Sequence, residues 1–107
     1  MLAKLRGTVL RERQRAGNNG AIVASIVLDG KGRPAAPPQI TLIGLAESNS
    51  GPIARMRDAV EDALDGLPAQ ARHNDDAVRD VVRRVLRRCS KELFGKRPLI
   101  EIPLVRL

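Results

Sequence analysis

Residues 78–107, VRDVVRRVLRRCSKELFGKRPLIEIPLVRL, hold a change of periodicity from which the fold can be read. Val78, Val81, Val82, Val85, Leu86, Cys89 and Leu93 recur every three or four residues, the spacing that lines one face of an α-helix. Arg79, Arg83, Arg84, Arg87, Arg88 and Lys91 fall on the opposite arc. Gly95 stands where a helix needs a left-handed C-cap, and Pro98 bars any continuation. Residues 99–105 are then dominated by Leu, Ile and Val, which predicts a strand. Pro103 within it has no N–H for a ladder, so the strand is expected at a sheet edge.

Upstream of this stretch, Asn74 or Asp75 suits the helix N-cap, and Asp75 and Asp76 suit its positive end. A second helix is read from Pro52, at a position where its missing N–H costs nothing, through Ile53, Met56, Val60, Ala63, Leu64 and Leu67. Gly66 and Pro68 end it. Residues 46–51 read as a loop. Residues 21–29 alternate Ile22, Ala24, Ile26 and Leu28 with Val23, Ser25 and Val27, and β-branched side chains dominate. That is a strand, apolar on both faces and therefore expected at the sheet centre. Asp29-Gly30-Lys31-Gly32 is turn chemistry with two glycines able to take positive φ. Pro34, Pro37 and Pro38 lead into a further strand at 39–45, antiparallel to the first across a long loop. The order is ββααβ. One apolar stripe per helix and one covered sheet face make an α+β two-layer sandwich, with three strands and both helices on one side. Residues 19–107 form this domain. Residues 1–18, with Lys4, Arg6, Arg11, Arg13 and Arg15 against Glu12, read as a basic linker or leading arm.

Four segments occur together in order: VLRER at 9–13, NGAIVASIVLDGKG at 19–32, PPQITLIGL at 37–45 and GKRPLIEIPLVRL at 95–107, the last after a basic helix. In this the chain, over about residues 8–107, resembles the C-terminal module of the bacterial ribonuclease J family. The resemblance implies the same sandwich. It also implies a parent enzyme that degrades and matures RNA as a 5′-to-3′ exonuclease and as an endonuclease. Two divalent metals, zinc or another, would sit on a His-x-His-x-Asp-His cluster in a preceding metallo-β-lactamase domain. That domain is an expected partner, together with further copies of the same protein. Met1 is then expected to be an internal or engineered start. Nothing here matches the His cluster, so no catalytic residue carries over.

The residues alone lead to the same expectation. Hydrolytic zinc needs three or more converging His, Cys or carboxylate ligands, and the chain has one histidine, His73, and one cysteine, Cys89. Neither a catalytic site nor a cofactor site is therefore expected in this chain. Asp58 and Asp62, one turn apart, read as a solvated helix face, and Cys89 falls on the apolar stripe. Gly30 and Gly32 read as a plain turn, because no helix starts after GKGRP to complete a phosphate cradle. No run of ~18 apolar residues suggests a membrane span. No signal peptide is legible, and a lone cysteine fits a reducing cytoplasm.

A net charge of +7 and a pI near 11.0 favour an anionic partner, RNA first. Arg79, Arg83, Arg84, Arg87, Arg88 and Lys91, with Lys96 and Arg97 beyond the helix, form a phosphate-tracking face, a plain solvated surface, or a face that docks on an acidic surface. With Phe94 as the sole aromatic, RNA would be held by charge, without base stacking. The other reading of the chain is a free-standing basic nucleic-acid-binding module.

Overall fold

A computed structural model describes residues 19–45 and 50–107; the basic arm and most of the expected 46–51 loop lie outside the described residues. The elements run β1 (Ala21–Leu28), β2 (Gln39–Ile43), α1 (Ser50–Asp65), a 3-10 turn (Ala71–His73), α2 (Asp75–Phe94), β3 (Leu99–Glu101) and β4 (Leu104–Arg106). This is the expected α+β order, with the last strand delivered in two pieces.

β1 is central. β2 pairs antiparallel on one side of it, and β3 and β4 pair parallel on the other. Ala21 faces Leu99 in β3 and Ile26 faces Leu104 in β4, the same offset, so β3 and β4 are one line of chain in one register. The break between them follows from Pro103. Leu99 N–H donates to Gly20 O at 3.0 Å, and Leu107 N–H to Leu28 O at 2.8 Å. Odd-numbered residues therefore point their amides at β1, and position 103 is one of them. The bond that residue 103 would donate to Ala24 is missing, although the Pro103 carbonyl still accepts from Ile26 N–H at 2.9 Å. The strand lies at the edge as expected, but the missing donor faces inward.

Even-numbered side chains of β1 share a face with those of its partners. Ile22, Ala24, Ile26 and Leu28 join Ile40, Ile100 and Ile102 against Met56, Val60 and Leu64 of α1 and Val78, Val82, Val85 and Leu86 of α2. Both helices thus cover one side of the sheet. Ser90 is buried in that core and donates to Leu86 O at 2.7 Å. No buried side-chain polar atom lacks a partner among the described residues.

The helix ends follow local chemistry. Ser50 and Gly51 are already helical, so Pro52 occupies the third position of α1, still within the first turn. Asn74 caps α2 by accepting from Ala77 N–H at 3.1 Å, and Gly95 closes it at φ 64°. Between β1 and β2, the Asp29 carboxylate accepts from the N–H groups of Lys31 (2.8 Å) and Arg33 (3.0 Å). The bond from Arg33, then that from Lys31, holds this carboxyl below its usual range. Of the two turn glycines only Gly32 takes a positive φ, 78°; Gly30 does not need one.

Candidate nucleic-acid interface

The arginines of α2 are divided by their neighbours into two groups. Near the start of the helix, Arg79 lies part-buried and its Nε donates to Ile102 O at 3.1 Å. That carbonyl belongs to an even-numbered residue and points away from β1, so Arg79 covers the exposed sheet edge. Arg79, expected on the arc opposite the apolar stripe, lies on a turn of the helix beside the strand. Arg84 pairs with Asp80 one turn back, an exposed bridge along the helix. Arg83 is half-buried.

The second group gathers at the other end. Arg87, Arg88 and Lys91 from α2, Gly95 at its cap, and Lys96 and Arg97 beyond it line one pocket of about 530 Å³. Five of its six lining residues are cationic and none is acidic. The fold assembles it simply: α2 ends at a left-handed glycine, the chain turns back toward β3, and Lys96 and Arg97 come alongside the last two helical turns. None of the five cationic side chains has a hydrogen bond or ion pair within the described residues. The eight cations of the sequence are thus not one continuous face.

A second pocket, lined by Arg33, Pro34, Glu61, Leu64, Asp65 and Arg72, carries both signs of charge. One of its two cations is committed to the fold: Arg72 Nη2 donates to Asp65 O at 3.2 Å. Arg106 performs a similar clasp, with Nε on Asp75 Oδ1 at 2.7 Å and Nη2 on Arg72 O at 2.8 Å. It ties β4 to the start of α2. Nothing in the residue pattern signalled this pairing, because it joins residues 31 and 34 positions apart.

The remaining candidates are structural in their settings. His73 is exposed on the 3-10 turn. Cys89 is half-buried against the rim of the core, and burial pushes its thiol up, only partly offset by Arg88. Asp58, Asp62 and Asp65 are exposed on α1. Among the described residues no three His, Cys, Asp or Glu side chains come together as a metal site. No described helix is long and apolar enough to cross a membrane.

On its far side the sheet carries no helix among the described residues. The odd-numbered residues Val23, Ser25, Val27, Leu99, Glu101, Pro103 and Val105 line that face, with Thr41 beside them on β2. Leu99, Val105 and Leu107 are 37%, 51% and 76% exposed there.

Residues 8–107 match the family model described as the ribonuclease J C-terminal domain. A relative named ribonuclease J, from Sinorhizobium meliloti, is 26% identical over 99 residues. That match takes in 90% of this chain and 18% of the relative, so the chain spans under a fifth of that protein's length. Since the family match covers nearly the whole chain, the chain belongs to the ribonuclease J C-terminal domain family.

Proposed function

We propose that this chain is the non-catalytic C-terminal domain of a cytoplasmic ribonuclease J-type enzyme, and that its main task is to hold copies of that enzyme together. The parent activity would be RNA decay and maturation, exonucleolytic from the 5′ end and also endonucleolytic. Zinc or another divalent metal would be held in the catalytic metallo-β-lactamase domain, outside this chain. Family membership favours this reading over a free-standing basic module.

The observation that carries the assembly role is the sheet face opposite the helices. Apolar side chains such as Leu99 and Val105 stand exposed on it, and exposed apolar patches of this kind mark contact surfaces. The chain as a whole carries +7, so two copies meeting at random repel. Glu101 is the one charged residue in the strand registers of this face. Two copies can therefore meet there without bringing their cations together. Leu99→Glu with Val105→Glu in the whole enzyme should reduce the oligomer to smaller species by light scattering, with circular dichroism unchanged. An oligomer that survives intact would mean that the face packs on the enzyme's own catalytic part.

One observation favours a second, auxiliary role in RNA contact: Arg87, Arg88, Lys91, Lys96 and Arg97 are gathered without an acidic partner among the described residues. Cations so placed neutralise phosphates and release counterions, which gives salt-dependent affinity without sequence readout.

A further inference from the structure

We infer that the pocket at the C-terminal end of α2 is a phosphate-binding site for single-stranded RNA, built from Arg87, Arg88, Lys91, Lys96 and Arg97. The inference rests on the auxiliary RNA role and narrows it. The first half of the helix offers fewer free cations, because Arg79 is spent on Ile102 O, Arg84 pairs with Asp80 and Arg83 is half-buried.

Two ordinary explanations for clustered cations do not account for this pocket. Cations near a helix C-terminus are favoured by the helix dipole, but that effect fades within the last turn. Lys91 is the basic residue of that turn; Arg87 and Arg88 lie further back, and Lys96 and Arg97 lie past the end. Surface cations also usually alternate with acids that offset them. Here Arg83 and Arg87, Arg84 and Arg88, and Arg87 and Lys91 are like charges at i and i+4, with Glu92 the one acid in residues 83–97, and each like-charge pair destabilises the helix. The helix bears that cost, and an anion seated in the pocket would relieve it.

The ligand class follows from shape and donors. Three guanidinium groups offer forked N–H pairs, which match the paired oxygens of a phosphodiester. At about 530 Å³ the pocket is on the scale of small-molecule sites, roomy enough for a nucleotide unit rather than a lone ion. Its lining has no aromatic side chain, so bases are not stacked and the strand is held by its backbone. A carboxylate-rich protein segment would use the same donors; RNA is favoured because, on the proposed reading, the parent enzyme brings RNA to this domain.

The test uses the 107-residue chain, a labelled oligouridylate and a labelled poly-glutamate peptide, titrated between about 0.05 M and about 0.2 M salt. Arg87→Gln with Arg88→Gln and Arg97→Gln should weaken RNA binding about tenfold or more at the lower salt. It should also flatten the slope of log affinity against log salt by up to ~0.7 for each lost contact. Arg84→Gln should leave both unchanged. Oligouridylate and oligoadenylate should bind alike. RNA binding that persists undiminished in the triple variant would overturn the pocket while leaving RNA contact elsewhere on the domain intact. No RNA binding by the parent chain would overturn both. Binding of the peptide alone, lost in the triple variant, would assign the pocket to an acidic protein surface instead.

Discussion

Gly32 has φ 78°, and a Cβ built on it would stand 2.7 Å from Arg72 Cβ and 2.9 Å from Arg72 O. Gly30, two residues earlier in the same turn, has nothing within 4 Å of its would-be Cβ and no positive φ. The same substitution should therefore act in opposite directions. Gly32→Ala forces an L residue into the left-handed region, at about 1–2 kcal/mol, and drives its methyl into the backbone of the 3-10 turn. Gly30→Ala only restricts the unfolded chain and should stabilise by up to about 1 kcal/mol. Urea unfolding midpoints measure both; equal shifts would mean that the loop does not rest on Arg72. The sequence Asp-Gly-Lys-Gly announced a turn, but which glycine was indispensable was illegible. That depends on a contact between residues 32 and 72, and neither position signals the other.

At the scale of elements, α2 was the most legible part of the molecule. Its apolar stripe, its Asn74 cap and its Gly95 closure are each determined by residues a few positions apart, and periodicity reports local geometry directly. β1 was nearly as clear: a strand apolar on both faces has a neighbour on each side. Strand pairing at the other edge was harder to read. Pro103 pointed to an edge for the general reason that edges tolerate a missing donor, yet the parity of the ladder turns that missing donor inward, toward Ala24. The candidate site was legible only in part for a related reason. Spacing puts Arg79 on the same helical face as Arg83, but whether a guanidinium reaches solvent or a carbonyl depends on where β3 and β4 arrive. The inward orientation of Pro103 can be tested. Pro103→Val should supply the ladder bond and merge β3 with β4. The gain, about 0.5–1.5 kcal/mol for one hydrogen bond, is largely offset by the added freedom of the unfolded chain, about 0.4–1 kcal/mol. Stability should barely change, so hydrogen exchange is the decisive readout. The new amide at 103 should exchange as slowly as those of Leu99 and Val105. Exchange at the rate of an exposed loop amide would show that it points to solvent.

Across the whole molecule, charge is segregated. On α1, Arg55 and Arg57 face Asp58, Glu61, Asp62 and Asp65, a net −2, whereas residues 83–97 set Arg83, Arg84, Arg87, Arg88, Lys91, Lys96 and Arg97 against Glu92, a net +6. A fold that concentrates like charge at one end loses stability to its own repulsion, and salt screens that loss. Raising salt from about 0.1 M to about 1 M shortens the screening length from ~10 Å to ~3 Å, below the ~5–6 Å that separates i and i+4 neighbours on a helix. The three like-charge pairs among Arg83, Arg84, Arg87, Arg88 and Lys91 at i and i+4 together cost about 1 kcal/mol. At about 4–8 °C per kcal/mol for a domain of this size, the melting temperature should rise by a few degrees over that range. Salt also strengthens apolar burial in general, so the informative quantity is a difference. In Arg87→Gln with Arg88→Gln the rise should be smaller than in the parent, and the variant should melt higher than the parent at the lower salt. RNA binding has the opposite salt dependence, so a melting curve taken with oligouridylate should gain most at low salt and little at high salt. If the two substitutions leave the salt-induced rise unchanged, the repulsion lies elsewhere in the chain, and the pocket's cations are already balanced by a group that draws them apart.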